Sequence, residues 1–536
     1  MPNWKKVIVS GSNAVLNHIT ASGNVSGSAI STASFGTYLG DGSQLTGLSA
    51  GTDLTQSLFV SPSGDNSTAV VGDITKPFQT ILSATASANI GDTIIVYPGT
   101  YLDETGNIVK DGVNYYFYPG AFVSSSNSKI IDTGDLTYPI NFRGNGTFET
   151  NIDDSAFSIS APKGVFEFNL LHHKGVGSLG SEKDTLEISQ PTSAPNAEIL
   201  EVKGSIITSD GGNNGSATLG IGYGNTKFDG SIVNSGSSGN AIEIRNLSAD
   251  TQINAYAFAR NGNALNSDIR ATCIQFNGHL ETGDQSTYHA INLGGNHIEG
   301  AIIHAEIIGA IYLNSGDTSN TGVVISGFQR CTNSPSSLGA VDIRRGRHLL
   351  NQKIQATENI FYSTGTSTSH TIFNGQAQIT NDNSGKLFDF NNPNGVFIYN
   401  GASGDANTRA NSNTISAGTL IIDSYLEHYG SNYPTNTDVF DLSGGTLEIN
   451  NKIKHHQITT GSGIVNMTGG YLKLNGAQLI HGDHTGSYAY AINLNSGTHS
   501  GSILNNSFTN LTPFGPGSFT NEIVGGGTLF YSDKLY

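Results

Sequence analysis

One local grammar governs this chain from residue 58 to about residue 500. A short apolar run is followed by a Gly/Asn/Ser/Asp turn and then by another short run. Runs at 165–168, 198–202, 206–208, 241–244, 274–276, 302–308, 311–313, 323–325, 371–373, 396–399, 419–422, 446–449, 463–466 and 471–474 carry the β-branched and aromatic residues that favour strands. No domain boundary interrupts the pattern. Two architectures suit it, a series of β-sandwiches or a solenoid, and three features favour the solenoid. Asn, Ser, Thr and Gly are abundant at turns, where side chains stack on their counterparts in the next coil. The grammar is uniform, and one helix stands at its start, where an end coil needs cover. Coils of about 25 residues are expected.

That helix is expected to begin at Thr75-Lys76-Pro77, with Thr75 as the cap and Pro77 in the first turn. Phe78, Ile81 and Leu82 give it one apolar face, and it should stop near 89–91. The aromatic run Tyr115-Tyr116-Phe117-Tyr118 reads as a strand with alternate residues in the core and on the surface.

Composition excludes several functions. The formal net charge is −17, with only 12% charged residues. So acidic a surface opposes nucleic-acid binding and attachment to anionic membranes. Cys273 and Cys331, the two cysteines, cannot build a disulfide framework or a Cys-rich zinc site. Val7-Ile8-Val9 is too short for the apolar region of a signal peptide, and no run approaches a membrane span. Residues 1–50 are rich in small residues and cannot form a core alone, so they are expected to order by association.

Two stretches carry a resemblance. Residues 58–65 (LFVSPSGD), 76–81 (KPFQTI) and 91–101 (GDTIIVYPGTY) resemble the opening of right-handed parallel β-helices of the pectate-lyase type, over about the first two coils. Residues 1–12 (MPNWKKVIVSGS) and 40–48 (GDGSQLTGL) resemble the N-terminal segments of tail-fibre proteins of marine and cyanobacterial tailed phages. The resemblance implies a tail fibre or tailspike whose N-terminus attaches to the phage tail, baseplate or an adaptor. It also implies a homotrimer, assembled in the host cytoplasm without a signal peptide, that meets host-surface polysaccharide. The expected organisation is an attachment segment at 1–50, a linker at 51–57, an all-β right-handed parallel β-helix at 58–512 with its short capping helix, and a C-terminal cap at 513–536. Trp4, Val7, Val9, Leu16 and Ile19 are the expected attachment residues.

Five groups of residues bear on chemistry. In Asp342-Ile343-Arg344-Arg345-Gly346-Arg347-His348, strand alternation puts Asp342 with Arg344 and Arg345 with Arg347. This run either binds an anionic sugar, supplies an acid with its electrostatic partner, or forms a solvated edge of local ion pairs. Glu281 and Asp284, with His289, flank a turn at Gly283. Asp423 and Glu427 lie among Tyr425, Tyr429 and Tyr433, where aromatic faces suit sugar rings. Paired carboxylates cleave glycosidic bonds only at defined separations, so no catalytic assignment follows from spacing alone. The paired histidines, including His481 and His484 around Asp483, lack a defined third ligand, and no metal site is assigned. The Gly220–Gly224 run precedes no helix, and no nucleotide or other cofactor is expected.

Overall fold

The computed structural model describes residues 56–532, except 103–106, 153, 175–183, 192–197, 210–216, 223, 246–249, 268–272, 295–299, 315–321, 336–338, 381–384, 402–407, 410–411, 430–437, 457–462, 482–489, 495–497, 505, 510–511, 515–517 and 522–529. The expected attachment segment, with Trp4, Val7, Val9, Leu16 and Ile19, lies outside the described residues.

The fold is a right-handed parallel β-solenoid. Its described strands form one sheet of 36 strands and a second of six, and the described pairs are parallel. Three ladders climb the coil. The first begins at Ser57–Val60 and passes through Thr93–Val96, Asn114–Phe117 and Ile140–Gly144. The second begins at Gly99–Tyr101 and the third at Ile131–Asp135. Successive rungs fall about one expected coil apart: Thr226 pairs with Thr251, and Ile253 with Phe276.

Alternation makes the interior. In the first ladder a single file of in-pointing residues runs from Leu58 through Phe142, Phe166, Phe228, Ile303 and Phe373 to Leu474, and every one is buried. Phe142 stacks on Phe166 with centroids 4.5 Å apart. Each such side chain contributes about 1.5–3 kcal/mol by leaving water. Outside, polar residues repeat at matching heights and bond to one another. Asn254 donates to Asp229 at 2.6 Å and Asn277 to Asn254 at 3.2 Å. Asn374 donates to Asn351 and Asn400 to Asn374. The side-chain stacking expected at the turns is therefore present.

Two expected strands fuse. Runs 198–202 and 206–208 are one strand, Ile199–Thr208, that bends from one face to the next at Gly204. Gly204 aligns with Gly230, and a Cβ on Gly230 would lie 1.8 Å from the Gly204 carbonyl oxygen. Only a residue without a side chain fits this corner.

The helix starts later than expected. It spans Ile81–Ser87, and its cap is Thr80, whose side chain accepts from the Ser83 N–H. Thr75 is diverted: Asp73 accepts both its N–H (2.9 Å) and its hydroxyl (2.6 Å) in a local turn. Phe78 is then held by its N–H on the Phe59 carbonyl, 2.7 Å away, so the chain is still extended there. Ile81 and Ala84 bury against the first coils, as suits a capping helix. At the other end, Ser518–Asn521 pairs with Thr498–Leu504 and Phe530–Ser532 with Ser507–Thr509. Parallel pairing therefore crosses the 512/513 boundary expected from sequence.

Candidate functional site

The strand Val341–Ala356 turns a corner of the solenoid at Gly346, which adopts φ +103°. Residues before the corner pair with Phe361–Thr364, and those after it with Ser369–Phe373. Beside this corner opens a cavity of about 430 Å³, lined by Arg345, Gly346, Arg347, Thr368, Ser369, His370, Asn394 and Val396. Its size is that of a small-ligand pocket.

The walls are fixed from behind. Gly346 donates its N–H to the Thr368 carbonyl at 3.1 Å. Asn392, fully buried, donates to the Ser367 carbonyl at 2.9 Å and to the Ser369 hydroxyl at 3.2 Å. Asn394 donates to the Thr366 carbonyl at 2.6 Å. Under the corner, the fully buried His348 places its Nε2 2.9 Å from the Arg345 carbonyl, and burial pushes its imidazole down to about 4. A neutral ring facing a carbonyl carries its proton on Nε2 and donates it.

The run 342–348 divides its charges. Asp342 is buried and takes a two-pronged contact from Arg344, Nε to Oδ1 at 2.8 Å and Nη2 to Oδ2 at 3.0 Å. Arg344 also lies over the Tyr362 ring, 5.5 Å from its centroid. Burial raises the Asp342 carboxyl, and Arg344 only partly offsets it. Arg345 and Arg347 line the cavity instead, and among the described residues neither has a carboxylate in ion-pair range. Within this run Asp342 and Arg344 form a local ion pair, while Arg345 and Arg347 line the cavity.

The other sequence candidates do not converge. Asp284 closes its own turn, accepting the Ser286 N–H at 3.1 Å and hydroxyl at 2.6 Å, and these bonds hold its carboxyl low. His289 packs against Tyr312, with burial pushing it down to about 4. Asp423 accepts from Asn450 at 2.6 Å. Glu427 is bound by His456 and by Lys454 at 3.4 Å. Burial opposes ionisation of Glu427, yet those two partners win and its carboxyl sits below the usual range. Tyr425 has Lys452 over its ring at 5.1 Å, while the side chain of Tyr429 lies outside the described residues.

Glu281 belongs to a group that local sequence does not reveal. His279 stands between two carboxylates, its Nε2 3.1 Å from Glu281 and its Nδ1 3.3 Å from Glu306. Tyr256 stacks on the His279 ring at 4.9 Å, reaches Glu281 with its hydroxyl at 3.3 Å, and is 42% exposed. Tyr256, His279 and Glu306 are register partners on successive coils. The coil period was the signal that could have found them.

A second unforeseen pair is structural. Asp184 is fully buried, accepts the Ala217 N–H at 2.7 Å, and is gripped by Arg245 through its two terminal guanidinium nitrogens. Gly220 makes room for it, since a Cβ there would overlap Asp184 Oδ2. Among the described residues no group of three or more His, Cys, Asp or Glu side chains is placed to hold a metal ion. No helix of the described residues is long and apolar enough to cross a membrane. No protein-family model, curated protein or solved structure matches the chain.

Proposed function

We propose that this protein is a tail-fibre or tailspike component of a tailed phage that binds host-surface polysaccharide through the flank of its solenoid. The observation that carries the reading is the cavity at the Gly346 corner. It is open, rigidly backed, and lined by hydroxyl, amide, imidazole and guanidinium groups beside one apolar residue. Sugars are recognised by such a mixture of hydrogen-bonding groups and apolar contact. A backbone wound into parallel-paired strands suits an appendage that must resist proteolysis outside a cell. Residues 1–50 attach to the tail, baseplate or an adaptor, and the protein acts as a homotrimer in the virion. In support of self-association, exposed apolar side chains concentrate in the first coils: Ile90, Leu102, Tyr116, Tyr118 and Tyr138.

A second reading, a depolymerising tailspike, draws on one specific observation. Glu281 and Glu306 flank His279 beside the exposed Tyr256 ring. Two carboxyl groups near a sugar platform are the parts of a glycosidase. Incubating the full chain with lipopolysaccharide and capsule preparations separates the readings. Retained binding without new reducing ends or unsaturated sugars supports adhesion. Product formation that is lost in Glu281→Gln moves the assignment to depolymerisation. No binding and no product from any preparation removes both.

A further inference from the structure

Three arginines lie within four residues on this chain, and among the described residues one carboxylate, Asp342, pairs with them. Arg344 holds Asp342. Arg345 and Arg347 straddle the Gly346 corner and line one cavity. Their register partners add no acid: Arg345 aligns with Asn314, and Arg347 lies between Gly322 and His370. Another cavity shows the contrast. There Lys129 is neutralised by Asp132 at 3.4 Å and Asp154 at 3.9 Å. On a chain of net charge −17, two guanidinium groups in one pocket, without a carboxylate partner among the described residues, form a local cationic site. Guanidinium forks match the planar or tetrahedral oxygens of carboxylate and sulfate groups better than the single hydroxyls of neutral sugars.

We infer that this cavity binds the anionic group of an acidic sugar, a uronate carboxylate or a sulfate ester, on Arg345 and Arg347. The inference rests on the glycan-binding reading above and narrows it to one class of polysaccharide. Thr368, Ser369 and Asn394 present the hydrogen-bonding side of the pocket, and Val396 its apolar side. The acidic surface elsewhere repels such a ligand, so the sugar chain is held at this point rather than along the whole flank.

The test is a calorimetric titration of the full-length chain with three probes: an oligogalacturonate, a sulfated oligosaccharide and a neutral dextran oligosaccharide of matched length. Binding of either charged probe, at least tenfold tighter than the neutral one and weakening with added salt, is expected. The charged probe that binds identifies the carboxylate or the sulfate as the group read. Arg347→Gln and Arg345→Gln should each weaken that binding about tenfold or more. Arg143→Gln, which removes an exposed charge elsewhere, should not change it. Each variant is used after its unfolding temperature is shown to match the parent, and Arg347→Lys provides a milder change if Arg347→Gln unfolds. Neutral and charged probes binding alike, with no loss in the arginine variants, overturns this inference and leaves the glycan reading intact. Failure of every probe, charged and neutral, overturns both.

Discussion

Phe142 touches Phe117, Phe148 and Phe166 with ring centroids 4.7, 5.7 and 4.5 Å away. It therefore ties neighbouring coils and two faces together at one point. Phe142→Ala leaves a cavity that a wound backbone cannot collapse, and a loss of about 3–5 kcal/mol is expected in denaturant unfolding. His348 makes a different prediction. It is neutral when buried, with its imidazole pushed down to about 4, whereas in the unfolded chain it takes up a proton near its ordinary 6.5. The unfolded state thus binds the extra proton as pH falls from about 6.5 towards 4, and His348 costs stability over that window. Acidification from pH 7 to pH 5 should lower the unfolding temperature of the parent more than that of His348→Gln. An equal fall in both would show that His348 is not held neutral by burial.

At the scale of the element, the corner glycines decide the path of the coil. Gly230 follows Gly204 in register at φ +157°, with no room for a side chain. Gly230→Ala should cost about 1–3 kcal/mol and open the corner to protease before the rest of the solenoid unfolds. Such corners also explain what the sequence hides. Apolar alternation at 198–202 and 206–208 reads as two strands because Gly204 looks like a break, yet it bends a strand without ending it. Thr75 and Pro77 look like a helix start, but Asp73 captures Thr75 locally and the cap passes to Thr80. The solenoid class itself is readable from the turn residues and the uniform grammar. Strand alternation also puts Arg345 with Arg347, but the chain turns a corner at Gly346 between them, and they meet because both line the cavity beside that corner. The Tyr256–His279–Glu306 file is not readable locally, because its members come together only when the length of each coil is known. Asp184 and Arg245 are hidden for the same reason.

At the scale of the whole molecule, a parallel coil carries a pocket lined by Arg345 and Arg347 on a chain of net charge −17. Its assembly is a separate proposal with its own check. Light scattering on the full chain should return three times the 56.1 kDa chain mass, and a monomer at all concentrations would remove the trimer. Tyr116→Ser combined with Tyr118→Ser, on the exposed aromatic strand, should shift that equilibrium towards monomer without altering oligosaccharide binding. The central claim is more local, that the corner at Gly346 is where the polysaccharide is held. A crystal structure of the full chain with the tightest-binding oligosaccharide tests it directly. The account predicts sugar in the cavity, its acidic group within hydrogen-bond distance of the Arg345 and Arg347 guanidinium groups; sugar lying instead along Tyr256 and His279, with the corner cavity holding none, would contradict it.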